Sequence, residues 1–272
     1  MGIKGTGDER RGQLLELLIC GLNGVPVERF DSVDAVSSTA QQYIALHAMT
    51  VDQMKEQCKE WHMPQHIKLK REDYLGRLQF AILWWEMPMR ELEKECKEWG
   101  LPSISDLSLP KDEEEKRGRL FDYLMFCLVW ETFEAMGVWC GQLNSCSAAW
   151  KLHDEFKAID SMSLAELRAK YQEMGLPAQN LQKWEIVERL KQVSLWLTMP
   201  FSALQTECRE SRVNSIAKES EQAELATRLM NAHWGQNPST RYRPGQPPAS
   251  FQPPWRGPGQ AAGPWQPWQR PP

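Results

Sequence analysis

One pattern constrains this chain more than any other: a short stretch opening on methionine occurs four times. The stretches are Met49-Thr50-Val51-Asp52-Gln53-Met54, Met87-Pro88-Met89-Arg90-Glu91-Leu92, Met162-Ser163-Leu164-Ala165-Glu166-Leu167 and Met199-Pro200-Phe201-Ser202-Ala203-Leu204. Within each pair the pitch is about 37 to 38 residues, a period at which stacked helical units recur. Five positions after each opening Met stands Met54, Leu92, Leu167 or Leu204, and four further on stands Cys58, Cys96, Tyr171 or Cys208. A step of four places both residues on one face of a helix, so both are expected to be buried.

Each first helix then meets a breaker. His62-Met63-Pro64, Gly100-Leu101-Pro102 and Gly175-Leu176-Pro177 each supply Pro to stop the helix, and the last two also supply Gly for a left-handed cap. The fourth stretch, Ser211-Arg212-Val213-Asn214, has neither, so its turn is the least defined by sequence. A polar loop and a second amphipathic helix follow, with an Arg-Leu step at Arg77-Leu78, Arg119-Leu120, Arg189-Leu190 and Arg228-Leu229. Recurrence at this step predicts arginines that lay their stems on the core and pair with acids. Trp84, Trp85, Trp130, Trp196 and Trp234 fall near the ends of these helices, where large rings can cover a small core.

Two longer echoes organise the rest. Tyr43 to Met49 is similar to Phe156 to Met162, about 113 residues on, as if a pair of units were duplicated. Arg10 to Leu22 is similar to Lys116 to Leu128, which predicts a stray second helix near the N-terminus with an apolar face left over. From Gly235 onward Pro, Gly, Gln, Trp and Arg replace apolar periodicity, and a disordered tail with four arginines and no acid is expected. The reading is therefore all-α. It has a partial repeat helix and linker over 1–48, repeats over 49–86 and 87–131, a linker with a short helix over 132–161, repeats over 162–198 and 199–234, and a tail over 235–272.

The repeating pattern of short helix, Gly-Leu-Pro, polar loop and helix with an acidic-Arg-Leu step resembles the SAP domain, a small helix, extended loop, helix module. The closest stretch is 162–198, through Leu164-Ala165-Glu166-Leu167, Gly175-Leu176-Pro177, Lys183 and Ile186-Val187-Glu188-Arg189-Leu190. The resemblance implies nucleic-acid binding, DNA more than RNA, in which the loop and the start of the second helix meet phosphate through lysines and backbone amides. Carried onto this chain, it nominates Lys68, Lys70, Arg71 and Lys183. Arg241, Arg243, Trp255 and Arg256 in the tail are further candidates, since interleaved Arg and Trp can stack on single-stranded bases.

Charge does not favour nucleic acid: net charge is −4, and 87–131 carries the acidic run Asp112 to Glu115. The competing expectation is a protein-interaction scaffold using Trp-lined helical faces. No nucleophile elbow, phosphate-cradling glycine loop or HExxH occurs, so neither catalysis nor a small-molecule substrate is expected. Cys58, His62 and His66 are interrupted by Pro64 and lack a fourth ligand at zinc-finger spacing, so neither metal nor cofactor is expected. The seven scattered cysteines suit an intracellular, reducing location, nuclear or cytoplasmic. No stretch approaches the roughly 20 apolar residues that cross a bilayer, so no membrane partner is expected.

Overall fold

The computed structural model describes residues 7–65, 69–99, 112–178 and 181–235, and every regular element among them is helical. The chain divides into two compact units, one ending at Thr132 and the other beginning at Phe133. The first holds α1 (Gly7–Leu22), a 3-10 turn (Val27–Arg29), α2 (Val33–Ala48), α3 (Val51–Glu60), α4 (Arg71–Glu86), α5 (Met89–Glu98) and most of α6 (Glu113–Ala135). The second holds α7 (Cys146–Ser161), α8 (Leu164–Glu173), α9 (Lys183–Thr198), α10 (Phe201–Glu210), a 3-10 turn (Glu219–Glu221) and α11 (Gln222–Trp234).

The two units carry the same series. Helices α2 to α5 have 16, 10, 16 and 10 residues, and α7 to α10 repeat those lengths 112 or 113 positions later. The ends match as well. Ser32 and Ser145 cap α2 and α7 through their hydroxyls, Thr50 and Ser163 cap α3 and α8 within capping boxes, and Pro88 and Pro200 precede α5 and α10. Burial repeats in register: Tyr43 with Phe156, Leu46 with Ile159, Leu78 with Leu190, Trp84 with Trp196, Met87 with Met199 and Cys96 with Cys208 are all buried. The eight positions expected on the buried face of the short helices, from Met54 and Cys58 to Leu204 and Cys208, are all buried. In the first unit α2 and α3 pack on α4, and in the second α7 and α8 pack on α9, so one long helix forms the spine of each.

Two elements exceed the sequence reading. Residues 132–161, expected as a linker with a short helix, contain the 16-residue α7, and α6 continues past 131 to Ala135. Within 1–48 the full helix α2 joins the single helix expected. Its inward residues Val36, Thr39, Ala40, Tyr43 and Leu46 follow a helical spacing, but Thr and Ala among them blur the apolar stripe.

Three of the four short helices end alike, and the breaker Gly100-Leu101-Pro102 after α5 lies outside the described residues. Met63 N–H donates to Cys58 O at 2.8 Å, Leu176 N–H to Tyr171 O at 3.3 Å, and Val213 N–H to Cys208 O at 2.8 Å, each closing a Schellman turn around a left-handed residue. That residue is Gly175 in one case, but His62 (φ 55°) and Arg212 (φ 56°) in the others. The fourth stretch, least defined by sequence, therefore makes the same turn without glycine. A side chain at positive φ is strained and Arg212 is exposed, so Arg212→Gly is expected to raise stability by about 0.5–1 kcal/mol in urea unfolding. No change, or a loss, would show that the turn carries no strain.

Candidate nucleic-acid interface

The nominated residues that the structure describes, Lys70, Arg71 and Lys183, lie where the long helices begin. Arg71 is the first residue of α4, and its guanidinium reaches back to the end of α2, donating to His47 O at 2.8 Å and Met49 O at 3.5 Å. The last carbonyls of a helix lack N–H partners and carry partial negative charge, so a cation is favourable there. The arrangement recurs. Arg117 donates to Trp85 O at 2.9 Å and to Met87 O at 2.7 Å at the end of α4, and Gln222 donates to Met199 O at 2.8 Å at the end of α9. A long donor near the start of one long helix thus clamps the carbonyl end of the long helix before it. Arg71 serves this clamp. Sequence reading missed it, although Arg71, Arg117 and Gln222 all stand at or near a long-helix start.

The Arg-Leu arginines also work internally. Arg77 is buried, donates to Pro64 O at 3.1 Å and bonds Thr132 Oγ1. Arg228 donates to Ile216 O at 3.0 Å and pairs with Glu224 at 2.7 Å, holding the loop between α10 and α11. Arg189 donates to the Tyr171 hydroxyl at 3.0 Å and lies 5.7 Å from the centre of the Trp234 ring. Arg119 pairs with Glu115 on its own helix at 3.3 Å. Pairing with acids, as expected, holds for Arg119 and Arg228. Arg77 bonds a loop carbonyl and a hydroxyl, and Arg189 bonds a hydroxyl.

A helix N-terminus attracts anions because its first N–H groups point outward unpaired. Here the chain's own carboxylates occupy several. Asp73 accepts from Lys70 N–H at 2.7 Å, Glu166 from Ser163 N–H at 2.7 Å and Glu185 from Gln182 N–H at 2.8 Å. The hydrogen bonds from Ser163 hold the Glu166 carboxyl below its usual range. A phosphate approaching the start of α4 or α9 would meet Asp73 or Glu185 in the first turn, with like charge.

Two nominated lysines are exposed: Lys70, at the cap of α4, and Lys183, the first residue of α9. Beside Lys183 stands Trp184, also exposed, which the sequence reading did not single out. An aromatic in the first turn of a helix whose inward face starts at Ile186 was the available signal. Lys68 lies outside the described residues, as do the tail candidates Arg241, Arg243, Trp255 and Arg256.

The seven cysteines form no disulfide and are buried, and burial pushes the Cys58 thiol up to about 11 and those of Cys96 and Cys127 up to about 12. Such thiols stay protonated at neutral pH and are poor nucleophiles and poor metal ligands. Among the described residues no three His, Cys, Asp or Glu side chains gather to hold a metal, and no helix is long and apolar enough to cross a membrane. In comparisons with known proteins the chain matches no protein-family model, no curated protein and no solved structure.

Proposed function

We propose that this chain is a non-catalytic scaffold of SAP-like two-helix units that binds protein through apolar helical surface. The observation that carries the reading is the internal use of its cationic apparatus. Arg71 and Arg117 clamp helix ends, Arg77 and Arg228 hold loop carbonyls, and Asp73 and Glu185 occupy the helix starts where phosphate would dock. Apolar side chains also face outward: Leu14, Leu15, Leu18, Ile19 and Leu22 on α1, with Trp85, Trp184 and Leu197 elsewhere. Exposed apolar patches of this kind mark sites of protein contact.

Nucleic-acid binding through several weak units is the second reading, favoured by the exposed pair Lys183 and Trp184 at the start of α9 and by exposed Lys70. A cation beside an aromatic ring can meet a phosphate and stack a base together, and linked weak sites gain apparent affinity without new contacts.

Fluorescence anisotropy separates the two. Labelled AT-rich duplex, mixed duplex and single-stranded RNA are titrated with the whole chain at low and near-physiological salt, alongside the double variant Lys70→Glu, Lys183→Glu. The scaffold reading expects weak binding that the variant leaves unchanged. Micromolar or tighter binding that falls steeply with salt and is lost in the variant would replace it with the nucleic-acid reading.

A further inference from the structure

Helix α1 has two unlike faces. Cys20 is buried, and Glu16 bonds Ser37 on α2, so one face is fixed to the first unit. The other carries Leu14, Leu15, Leu18, Ile19 and Leu22, which are 52 to 80% exposed. The matching stretch of α6 holds Leu120, Leu124, Met125 and Leu128 at the positions of Leu14, Leu18, Ile19 and Leu22, and there none exceeds 6% exposure. The same pattern is therefore core in α6 and surface in α1.

We infer that this face is covered by α1 of a second copy of the chain, the two helices running antiparallel with the two-fold axis near Leu18. The inference rests on the scaffold reading, in which apolar helical surface makes protein contact. Three features of α1 choose this occupant. Leu15, Leu18 and Leu22 follow the three-and-four spacing of a helix-pairing seam, with Leu14 and Ile19 flanking it. The five side chains form a patch on the order of 500 Å², so a pair would bury about 1,000 Å² in total, the lower bound for a specific interface. Charge then sets the direction. Arg10 and Arg11 lie exposed in the first half of α1, and its last turn has no basic residue. Antiparallel pairing brings each Arg pair alongside the other copy's carbonyl end, where a cation is favoured, whereas parallel pairing sets four arginines together. A self-complementary two-fold contact also closes on itself, so assembly stops at two.

Sedimentation analysis of the whole chain from about 1 to 100 μM, at 0.15 and 1 M salt, is expected to show a dimer that persists at high salt, as an apolar seam requires. Leu18→Glu is expected to give a monomer with an unchanged far-ultraviolet circular dichroism spectrum, because Leu18 is exposed within its own copy. The native cysteines are buried, so an introduced one reports alone. Leu18→Cys is expected to form a disulfide between copies under mild oxidation. Leu14→Cys and Leu22→Cys should each fail alone and cross-link when mixed. A monomer at every concentration, a dimer that survives Leu18→Glu, an assembly beyond two, or self-linking of Leu14→Cys as readily as Leu18→Cys would each overturn the inference. A monomer would leave the scaffold reading to the nucleic-acid titration, which does not depend on α1.

Discussion

Replacing Arg29 by Met is expected to cost the first unit about 3–5 kcal/mol, a large part of the 5–15 kcal/mol by which a domain is typically stable. Arg29 closes the 3-10 turn after α1 and is buried. Its guanidinium bonds the carboxylate of Glu95 on α5, which is 2% exposed, and also reaches Glu98 at 3.2 Å. Glu95 accepts one further bond, from Trp99 Nε1 at 3.1 Å, which does not neutralise its charge. Without Arg29 a carboxylate would be left in the core facing an apolar side chain, and the penalty is that of an unpaired buried charge rather than the worth of the pair. The double variant Arg29→Met, Glu95→Leu should therefore recover most of the loss, and a double-mutant cycle by urea unfolding measures the coupling. A loss below about 1 kcal/mol would show that water reaches Glu95 and that the pair is not structural.

The second unit holds an internal comparison. Gln142 and Glu207 stand where the duplicated series places Arg29 and Glu95, and Gln142 donates to Glu207 at 3.0 Å. An amide satisfies hydrogen bonding but supplies no charge, and burial pushes the Glu207 carboxyl up from its ordinary range. One architectural contact, from the segment before the first long helix to the second short helix, is thus made ionic in one unit and neutral-to-acid in the other.

That contact shows where sequence reading stops. Met54 with Cys58, and Leu204 with Cys208, were legible as buried because a four-residue step is local and helices impose it. Arg29 and Glu95 are 66 positions apart, and no local rule links them. Only aligning the two halves residue by residue would have suggested that both positions matter. The turn at Arg212 was illegible for another reason. Its geometry is set by backbone bonds from Arg212 to Arg209 and from Val213 to Cys208, which leave no mark on residue type once glycine is absent. The site divides in the same way. A sequence shows that Arg71 is basic and stands near a helix start, but not that the end of α2 lies within its reach, so a clamp reads as a ligand. Lys70 and Lys183, nominated as phosphate contacts, are exposed, and the left-over apolar face expected near the N-terminus from its likeness to α6 is seen on α1.

Trp196→Ala is the other substitution expected to have a large effect, about 3–5 kcal/mol in the second unit. The ring is 2% exposed and stacks on Trp234 with centroids 5.3 Å apart and on His233 at 5.5 Å. Truncation opens a cavity the size of an indole and removes the stacked contact, worth about 0.5–1.5 kcal/mol beyond burial. It also strikes the packing of α11, which lies on α9 and α10; Trp196 with Arg189 contributes to the α9 side of that contact through Trp234. Hydrogen exchange should therefore accelerate first in α11 and at the end of α9, with α7 and α8 affected least. Trp184→Ala, in the first turn of α9 at its other end, provides the control. Its ring is exposed, so the change should stay within about 0.5 kcal/mol. If Trp184→Ala proved the more damaging, that ring would be buried in solution by a partner or a second copy. If Trp196→Ala cost less than about 1 kcal/mol, the contact between α9 and α11 would not hold the unit together. The expected contrast separates a tryptophan that builds the unit from one that stands on its surface.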